Sequence, residues 1–386
     1  MESRKKIKRR EFMQSTLLGG IASILPFQGT VLEASVDDNL TKIQIQYRLL
    51  GRTGLKVSTV GFGAMITSDP TVIHHALDLG INYIDTASSY MRGNNEILVG
   101  SVLKTRRKET YIATKTKLGT EEKMMESVAN SLKKLQTDVI DVIQLHGLNS
   151  KNQVLNQDYM NVLDKMRKKG MVRFVGFSTH DNQAECLLAA IEAKFYDMVL
   201  VAYNFSSDPV IGEAIKKAGE AGIGIVAMKT QAGGYQGKDR GEWSPHQAAL
   251  RWVLKNPYIA TTIPSMTSFS QVDENFAAMK SAYSSHDEKI LQRYANLYQN
   301  EICRMCGACR NKCPQGIPIQ DINRCLMYAD GYRNFDLALQ TFSEISRKFP
   351  ASACSDCGAC QVKCKYSLNI LERVQRAKEL FAATIA

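Results

Sequence analysis

Eight of the ten cysteines fall in two runs near the C-terminus. The first is Cys303, Cys306, Cys309 and Cys313, followed by Pro314. The second is Cys354, Cys357, Cys360 and Cys364, followed by Lys365 in place of a proline. Both read C-x2-C-x2-C-x3-C, the spacing that wraps thiolates around a cubane [4Fe–4S] cluster. Three cysteines at three-residue steps direct their sulfurs at three corners of one cube, and the fourth often comes from the other run. Zinc sites use two separated C-x2-C pairs instead. Disulfides are the other alternative in an exported protein. A tight four-cysteine run, doubled, fits two clusters better than either. Gly307 and Gly358 recur at the same place in both runs, where backbone must pass close to the inorganic core. Cys186 and Cys325 lie outside the runs, in helical stretches, and read as small buried hydrophobes.

A second group of reactive side chains is spread along the middle of the chain. Short apolar runs that read as buried parallel strands alternate there with helical stretches. The strands are predicted at 59–63, 83–85, 111–114, 139–145, 174–178, 198–203, 224–228 and 261–264. Met125, Val128, Leu132 and Leu135 mark the buried stripe of one intervening helix. Eight strands within 237 residues, from Tyr47 to Tyr283, match the ~250 residues of a (β/α)8 TIM barrel. No G-x-G-x-x-G follows the first strand, which argues against a doubly wound open sheet. The expected architecture is therefore α/β: a barrel over 46–283, then a smaller domain over 284–386.

In such a barrel chemistry sits where strands end. The second strand ends in Asp85, with Tyr90 in the following loop. The third ends in Thr114 and Lys115, the fourth in Leu145 and His146, and the fifth in Ser178 and Thr179. An aspartate, a tyrosine, a lysine and a histidine on one rim suit carbonyl reduction. A ketone accepting hydride needs a proton on its oxygen, and tyrosine, with a pKa near ~10, is a poor donor and acceptor unaided. A nearby Lys115 ammonium stabilises the tyrosinate and lowers that value. Asp85 keeps Lys115 charged and placed, His146 orients the carbonyl oxygen, and Tyr90 acts as general acid in reduction and general base in oxidation.

Residues Tyr47 to about Ala278 resemble the aldo-keto reductases. Leu50-Gly51-Arg52-Thr53-Gly54-Leu55-Lys56-Val57-Ser58 is similar to that family's opening hairpin. Asn82-Tyr-Ile-Asp85-Thr86-Ala87-Ser-Ser-Tyr90, with Asn95-Glu96 following, is similar to its first signature. Ala113-Thr114-Lys115 and Gln144-Leu145-His146 fall where its lysine and histidine belong. The resemblance implies NADP or NAD, held by Ser178, Thr179, Asn204, Met228, Lys229, Ser265, Gln271, Glu274 and Asn275. Three departures bear on that cofactor. Leu200 stands where the family often has glutamine, and Met228, followed by Lys229, where an aromatic usually stacks on the nicotinamide. Ser265-Met266-Thr267-Ser268, after Ile263-Pro264, lacks the basic residue that pairs with a 2′-phosphate. The glycine-rich loop from Gln231 to Lys238 is placed to close over the cofactor.

Between the cysteine runs lie 40 residues, Pro314 to Ala353, with helices predicted at 321–328 and 335–347. This segment resembles the α-helical ferredoxin modules attached to respiratory dehydrogenases. With the barrel, it resembles the bacterial aldo-keto reductases that carry a C-terminal [4Fe–4S] ferredoxin extension.

Residues 1–35 read as a signal region. Arg9-Arg10 before Phe12, in a basic start, and an apolar stretch from Leu17 to Phe27 resemble a twin-arginine export signal. Eleven apolar residues are too few for a spanning helix, which needs about 20. The expected place is the periplasm, or a tether at the outer face of the inner membrane, and the expected exporter is the twin-arginine translocase. That route carries folded proteins, so clusters would assemble first in the reducing cytoplasm. The net charge of +11 includes six Lys or Arg and one Glu within the first ten residues. No basic patch interleaved with aromatics points to nucleic acid.

The function expected is an oxidoreductase that moves hydride between NAD(P) and a small carbonyl or alcohol, with two clusters exchanging single electrons with a redox partner protein. Two alternatives stand beside it. One is a non-redox sugar epimerase or lyase holding NAD tightly. The other is an electron-transfer module with an inactive barrel.

Overall fold

The computed structural model describes residues 44–232, 244–298, 303–345 and 360–385, together with Cys354 and Cys357. The signal region expected at 1–35, the loop residues 233–238 and Gly358 lie outside the described residues.

Two short strands, β1 (Tyr47–Leu49) and β2 (Lys56–Ser58), form an antiparallel hairpin. Eight strands follow: β3 (Phe62–Gly63), β4 (Tyr83–Asp85), β5 (Tyr111–Thr116), β6 (Ile140–Leu145), β7 (Val172–Thr179), β8 (Met198–Ala202), β9 (Gly224–Met228) and β10 (Ile259–Thr262). Each pairs in parallel with the next, from β3 to β10. Bridges from Val60 to Thr262 and from Gly63 to Ser265 join the first strand region to the last and close the barrel. Gly61 N donates to Thr262 O at 2.7 Å across this seam. All eight predicted strands are present; the first is shorter than the sequence suggests because β3 meets β10 through bridges rather than a continuous ladder.

Helices α1 (Pro70–Asp78), α2 (Asn94–Arg106), α3 (Glu121–Leu135), α4 (Lys151–Val154), α5 (Gln157–Lys168), α6 (Gln183–Ala193), α7 (Pro209–Glu220), α8 (Pro245–Leu254) and α9 (Phe269–Phe276) connect the strands or follow the last. Their starts are written locally. Asp69, Thr120, Asn156, Asp208, Ser244 and Ser268 each accept a backbone N–H of the first turn, and proline opens α1, α7 and α8. In α3 the buried face is Met124, Val128, Ser131 and Leu135, so the expected stripe is rotated: Met125 and Leu132 only flank it.

The hairpin plugs the bottom of the barrel. Leu50, Leu55 and Val57 bury against Tyr83, Val142, Leu200 and Val226 of the strands. Gly51, in a left-handed conformation at φ +51°, makes the fit possible, since a Cβ there would lie 2.2 Å from Gly224 N. Helix α10 (Ser285–Tyr298) packs on α8: Leu291 is buried with Ala248 and Ala249, and Arg251 pairs with Asp287 at 2.6 Å. Barrel packing thus runs past Tyr283.

The cysteine-bearing lobe has its own core. Helices α11 (Ile319–Leu326), α12 (Phe335–Ile345) and α13 (Ile370–Ile385) bury Ile322, Cys325, Phe342, Val374 and Phe381, with the rings of Phe342 and Phe381 stacked at 4.4 Å. A single π turn, Met327–Gly331, carries α11 onward beyond the predicted end at 328. Cys325 and Cys186 are both buried among apolar side chains, and burial pushes each thiol up to about 12. Among the described residues no helix is long and apolar enough to cross a membrane.

Candidate functional site

Asp85, Lys115 and Gln144 sit at the ends of adjacent parallel strands, so the barrel register brings them together. Asp85 and Lys115 are 2% and 1% exposed and form an ion pair. Lys115 Nζ also donates to Thr86 O at 2.7 Å, and Gln144 Nε2 donates to the other Asp85 oxygen at 2.9 Å. Both buried charges are therefore paired and hydrogen-bonded, the condition under which a core tolerates them. The ammonium lies 4.8 Å from the centroid of the Tyr90 ring. Tyr90 and His146 meet edge to face at 5.9 Å.

The loop that carries Tyr90 is held by backbone strain and polar anchors. Met91 and Arg92 adopt left-handed φ of 49° and 55°. Behind them Asn95 accepts from the Thr86 hydroxyl at 2.6 Å and donates to Ala64 O at 2.7 Å, while Thr114 donates to Glu96 at 2.7 Å.

Electrostatics assign each group a state. Burial pulls Lys115 down, but Asp85 and Tyr90 outweigh it and hold the ammonium above the ordinary lysine range. Burial likewise pushes His146 down to about 3, helped by Lys115, Arg324 and Lys117, so its imidazole is neutral. For Tyr90 the expectation from sequence needs correction. Lys115 does favour the tyrosinate, yet burial is the larger effect and Asp85 adds to it, so the hydroxyl is held above the ordinary tyrosine range.

Asp85, Tyr90 and His146 line a cavity of about 600 Å³, and Lys115 lies behind them, paired with Asp85. Met228, Lys229 and Ser265 line the same cavity. Ser178 and Thr179 do not: both are fully buried, the first accepting from Gly147 N at 3.0 Å and the second donating to Asp181 O at 2.7 Å. Asn204 braces the β9 end by donating to Lys229 O at 3.0 Å. Gln271, Glu274 and Asn275 stand on α9 beside the rim. Gln271 accepts from Thr267 N, Glu274 from the Ser244 hydroxyl, and Asn275 from Gln231 at 2.8 Å.

The cavity has a second wall that sequence reasoning missed. Asp321, Arg324, Tyr328, Tyr332 and Gln340 of the cysteine-bearing lobe line it, facing His180 and Asp181 of the barrel. The signal was present as spacing: 321, 324 and 328 fall on one helical face. The lobe is pinned to the rim by Arg310 to Asp181 at 2.5 Å, Lys117 to Glu344 at 2.9 Å, Gln340 to Ser89 O at 3.2 Å, and Lys365 and Tyr366 to Asp208. At Gly307, φ +78°, a Cβ would come within 2.4 Å of Asn182 Oδ1, so the first cysteine loop presses directly on the loop after β7.

The cysteines of the two runs interleave. Cys303, Cys306 and Cys309 share one small cavity with Cys364, the last cysteine of the second run. Cys354, Cys357 and Cys360 share another with Cys313, the last of the first. Burial pushes Cys303 up to about 12 and Cys309 to about 11, and neighbouring cysteines add to both. Among the described residues no three Cys, His, Asp or Glu side chains converge as they would on a single metal ion. A cubane makes a different demand, because each thiolate binds its own iron. Four sulfurs around a small hollow fit that demand.

A family model for the aldo/keto reductases matches residues 67–240 and 235–295. L-galactose dehydrogenase of Arabidopsis thaliana is 28% identical over 315 residues, covering 67% of this chain and 97% of the plant protein. A methylglyoxal reductase of Escherichia coli O157:H7 is 27% identical over 256 residues, covering 61% of this chain and 92% of its own length. Among solved structures, the holo form of an aldo-keto reductase from Bacillus halodurans is similar with a TM-score of 0.56 and 25% identity, over 65% of this chain and 96% of that one. Family match, closed eight-stranded barrel and the grouping of Asp85, Tyr90, Lys115 and His146 agree, and this chain is an oxidoreductase belonging to the aldo/keto reductase family.

Proposed function

We propose that the chain reduces a small carbonyl compound, or oxidises the matching alcohol, with NADP or NAD, and that two [4Fe–4S] clusters connect it to a redox partner protein. The observation that carries the reading is the fully buried Asp85–Lys115 pair beneath the Tyr90 ring, beside a neutral His146, at one end of a closed-in cavity.

The nicotinamide, when bound, supplies or takes the hydride. The protein's part is proton management and placement. His146, neutral, donates a hydrogen bond to the carbonyl oxygen and points it at Tyr90. Tyr90, held protonated by burial, gives its proton to that oxygen as negative charge develops there. The tyrosinate left behind faces Lys115, whose charge Asp85 and Gln144 keep in position. In oxidation the same tyrosinate is the base. Burial of the Asp85–Lys115 pair strengthens its interactions. Met228, Ser265, Gln271, Glu274 and Asn275 would hold the cofactor at the rim, whereas Ser178, Thr179 and Asn204 brace loops.

Cys303, Cys306, Cys309 and Cys364 hold one cluster in this reading, and Cys313, Cys354, Cys357 and Cys360 the other. Clusters pass single electrons, which suits a protein partner. Export through the twin-arginine translocase to the periplasm, or to a tether at the outer face of the inner membrane, rests on Arg9, Arg10 and the apolar stretch after them.

The test is Tyr90→Phe in iron-loaded, anaerobically purified protein. Carbonyl reduction should fall by a factor of roughly 10²–10⁴ while nicotinamide binding, followed by fluorescence, is retained. Undiminished turnover would remove Tyr90 from the chemistry.

A further inference from the structure

Charged side chains at the cavity pair off with one remainder. Asp85 matches Lys115, Glu344 matches Lys117 at 2.9 Å, Asp321 matches Arg324 at 3.0 Å, and Arg310 matches Asp181 at 2.5 Å. Lys229 is left over. Its ammonium meets no carboxylate within ion-pair distance among the described residues; its company is the Tyr328 hydroxyl at 3.1 Å and the faces of Tyr328 and Tyr332 at 4.6 and 5.7 Å. Phenols offer a lone pair and a negative ring face, but no charge. Lys229 thus presents to the cavity a part-buried ammonium held charged by tyrosines, which an anionic ligand can pair with.

Two further observations point the same way. Lys229 sits in the left-handed region at φ 54°, a conformation rare for lysine and a form of strain that clusters at ligand sites. Beside it His180 has a buried Nδ1 with no hydrogen-bond partner. Burial, then Lys229, Arg324, His146 and Lys115, hold that imidazole neutral, and Lys229, Arg324 and His146 line the same cavity as His180. Tyr328 also lies close enough to Tyr90 for their hydroxyls to influence one another.

We infer that Lys229, His180 and Arg324 form an anion subsite that receives the carboxylate of a short carbonyl substrate whose reactive carbon faces Tyr90 and His146. The inference deepens the reductase reading and rests on it. Arg324, kept in place by Asp321, comes from the cysteine-bearing lobe. The lobe therefore takes part in choosing the substrate, and a neutral aldehyde of the same length leaves the Lys229 charge unmatched.

The experiment compares succinic semialdehyde with butanal in the iron-loaded full chain, for the unaltered protein, Lys229→Met and Lys229→Arg. The ratio of the two kcat/KM values isolates the carboxylate, because any effect on the nicotinamide is common to both aldehydes. A charge-assisted contact predicts that the ratio falls about tenfold or more in Lys229→Met and recovers in Lys229→Arg. An unchanged ratio overturns the subsite while leaving the reductase reading intact, and would return Lys229 to the cofactor. Calorimetric binding of 4-hydroxybutyrate against 1-butanol, with NADP⁺ present, gives a readout free of turnover. Preferential binding of the acid that Lys229→Met abolishes supports the subsite even if neither aldehyde is reduced, an outcome that would instead break the reductase reading. Equal binding of acid and alcohol by the unaltered protein overturns it.

Discussion

The barrel rim and the cysteine-bearing lobe solve the burial of reactive groups in opposite ways. In the tetrad at the rim the two buried charges are answered by protein groups: Lys115 by Asp85 and Thr86 O, Asp85 also by Gln144. In the lobe, thiols from both runs face one another across two small hollows, and neighbouring sulfurs only raise the cost of ionising Cys303 and Cys309. One centre is complete as the chain folds. The other gathers thiols around two hollows, with Arg304 and Lys365 beside them at one.

That contrast predicts a steep asymmetry. With the clusters proposed above, chelating iron should cost the lobe most of its hydrogen-exchange protection over 319–345 and 370–385 while strands β4 to β9 remain protected, since binding free energy at such a site is folding free energy. Equal loss in both regions would mean that lobe and barrel fold as one unit. Next in size is Lys115→Met. It leaves Asp85 buried and uncompensated, and breaking a buried pair from one side costs about 3–5 kcal/mol. Calorimetry should show that fall in stability together with lost turnover.

The seam between the regions should respond less. Asp208 caps α7 through Val210 N and also receives Lys365 and Tyr366 from the lobe. Asp208→Ala removes the cap, for about 1 kcal/mol, and exposed pairs add up to ~1 kcal/mol. Lys365→Ala should retain the cap and lose only the smaller part, so comparing the two melting temperatures separates cap from docking.

Smallest of all is the expected response of the rim to mild acid. With His146 pushed down to about 3, lowering the pH from about 8 to about 5 leaves its imidazole neutral, and the reduction rate should show no inflection at the ordinary histidine value of ~6.5. On the alkaline side Tyr90 must keep its proton to act as an acid. Because its pKa is raised, reduction should hold past pH ~10, the ordinary tyrosine value, and fall only above it. An inflection near pH ~6.5 would show His146 to be more open to water than its surroundings imply.

Much of the rim is legible in the order of residues. Asp85, Lys115 and His146 close hydrophobic runs, and in a parallel barrel equivalent strand ends meet on one rim. The cysteine spacing likewise announces thiolate chemistry, because i, i+3 and i+6 positions are local geometry. His180 escapes such a reading because a lone histidine beyond a strand end carries no periodic signal. Ser178 and Thr179 look like cofactor contacts in the sequence, yet the fold spends their hydroxyls on Gly147 and Asp181.

Sequence alone therefore determined which reactive side chains each segment carries: strand ends with proton-handling groups, and two runs of regularly spaced thiols. Only the tertiary structure decided what those segments face. It set Cys364 beside Cys309 and Cys313 beside Cys354, turned Arg324 and Tyr328 over the mouth of the barrel, and left Lys229 without a counter-ion among the described residues. The physical reason is range. Periodicity and ligand spacing are written by neighbours a few residues apart, whereas the burial that holds Tyr90 protonated and His146 neutral, and the Asp85 charge that keeps Lys115 an ammonium, come from chain segments that meet only when the barrel closes and the lobe packs on it.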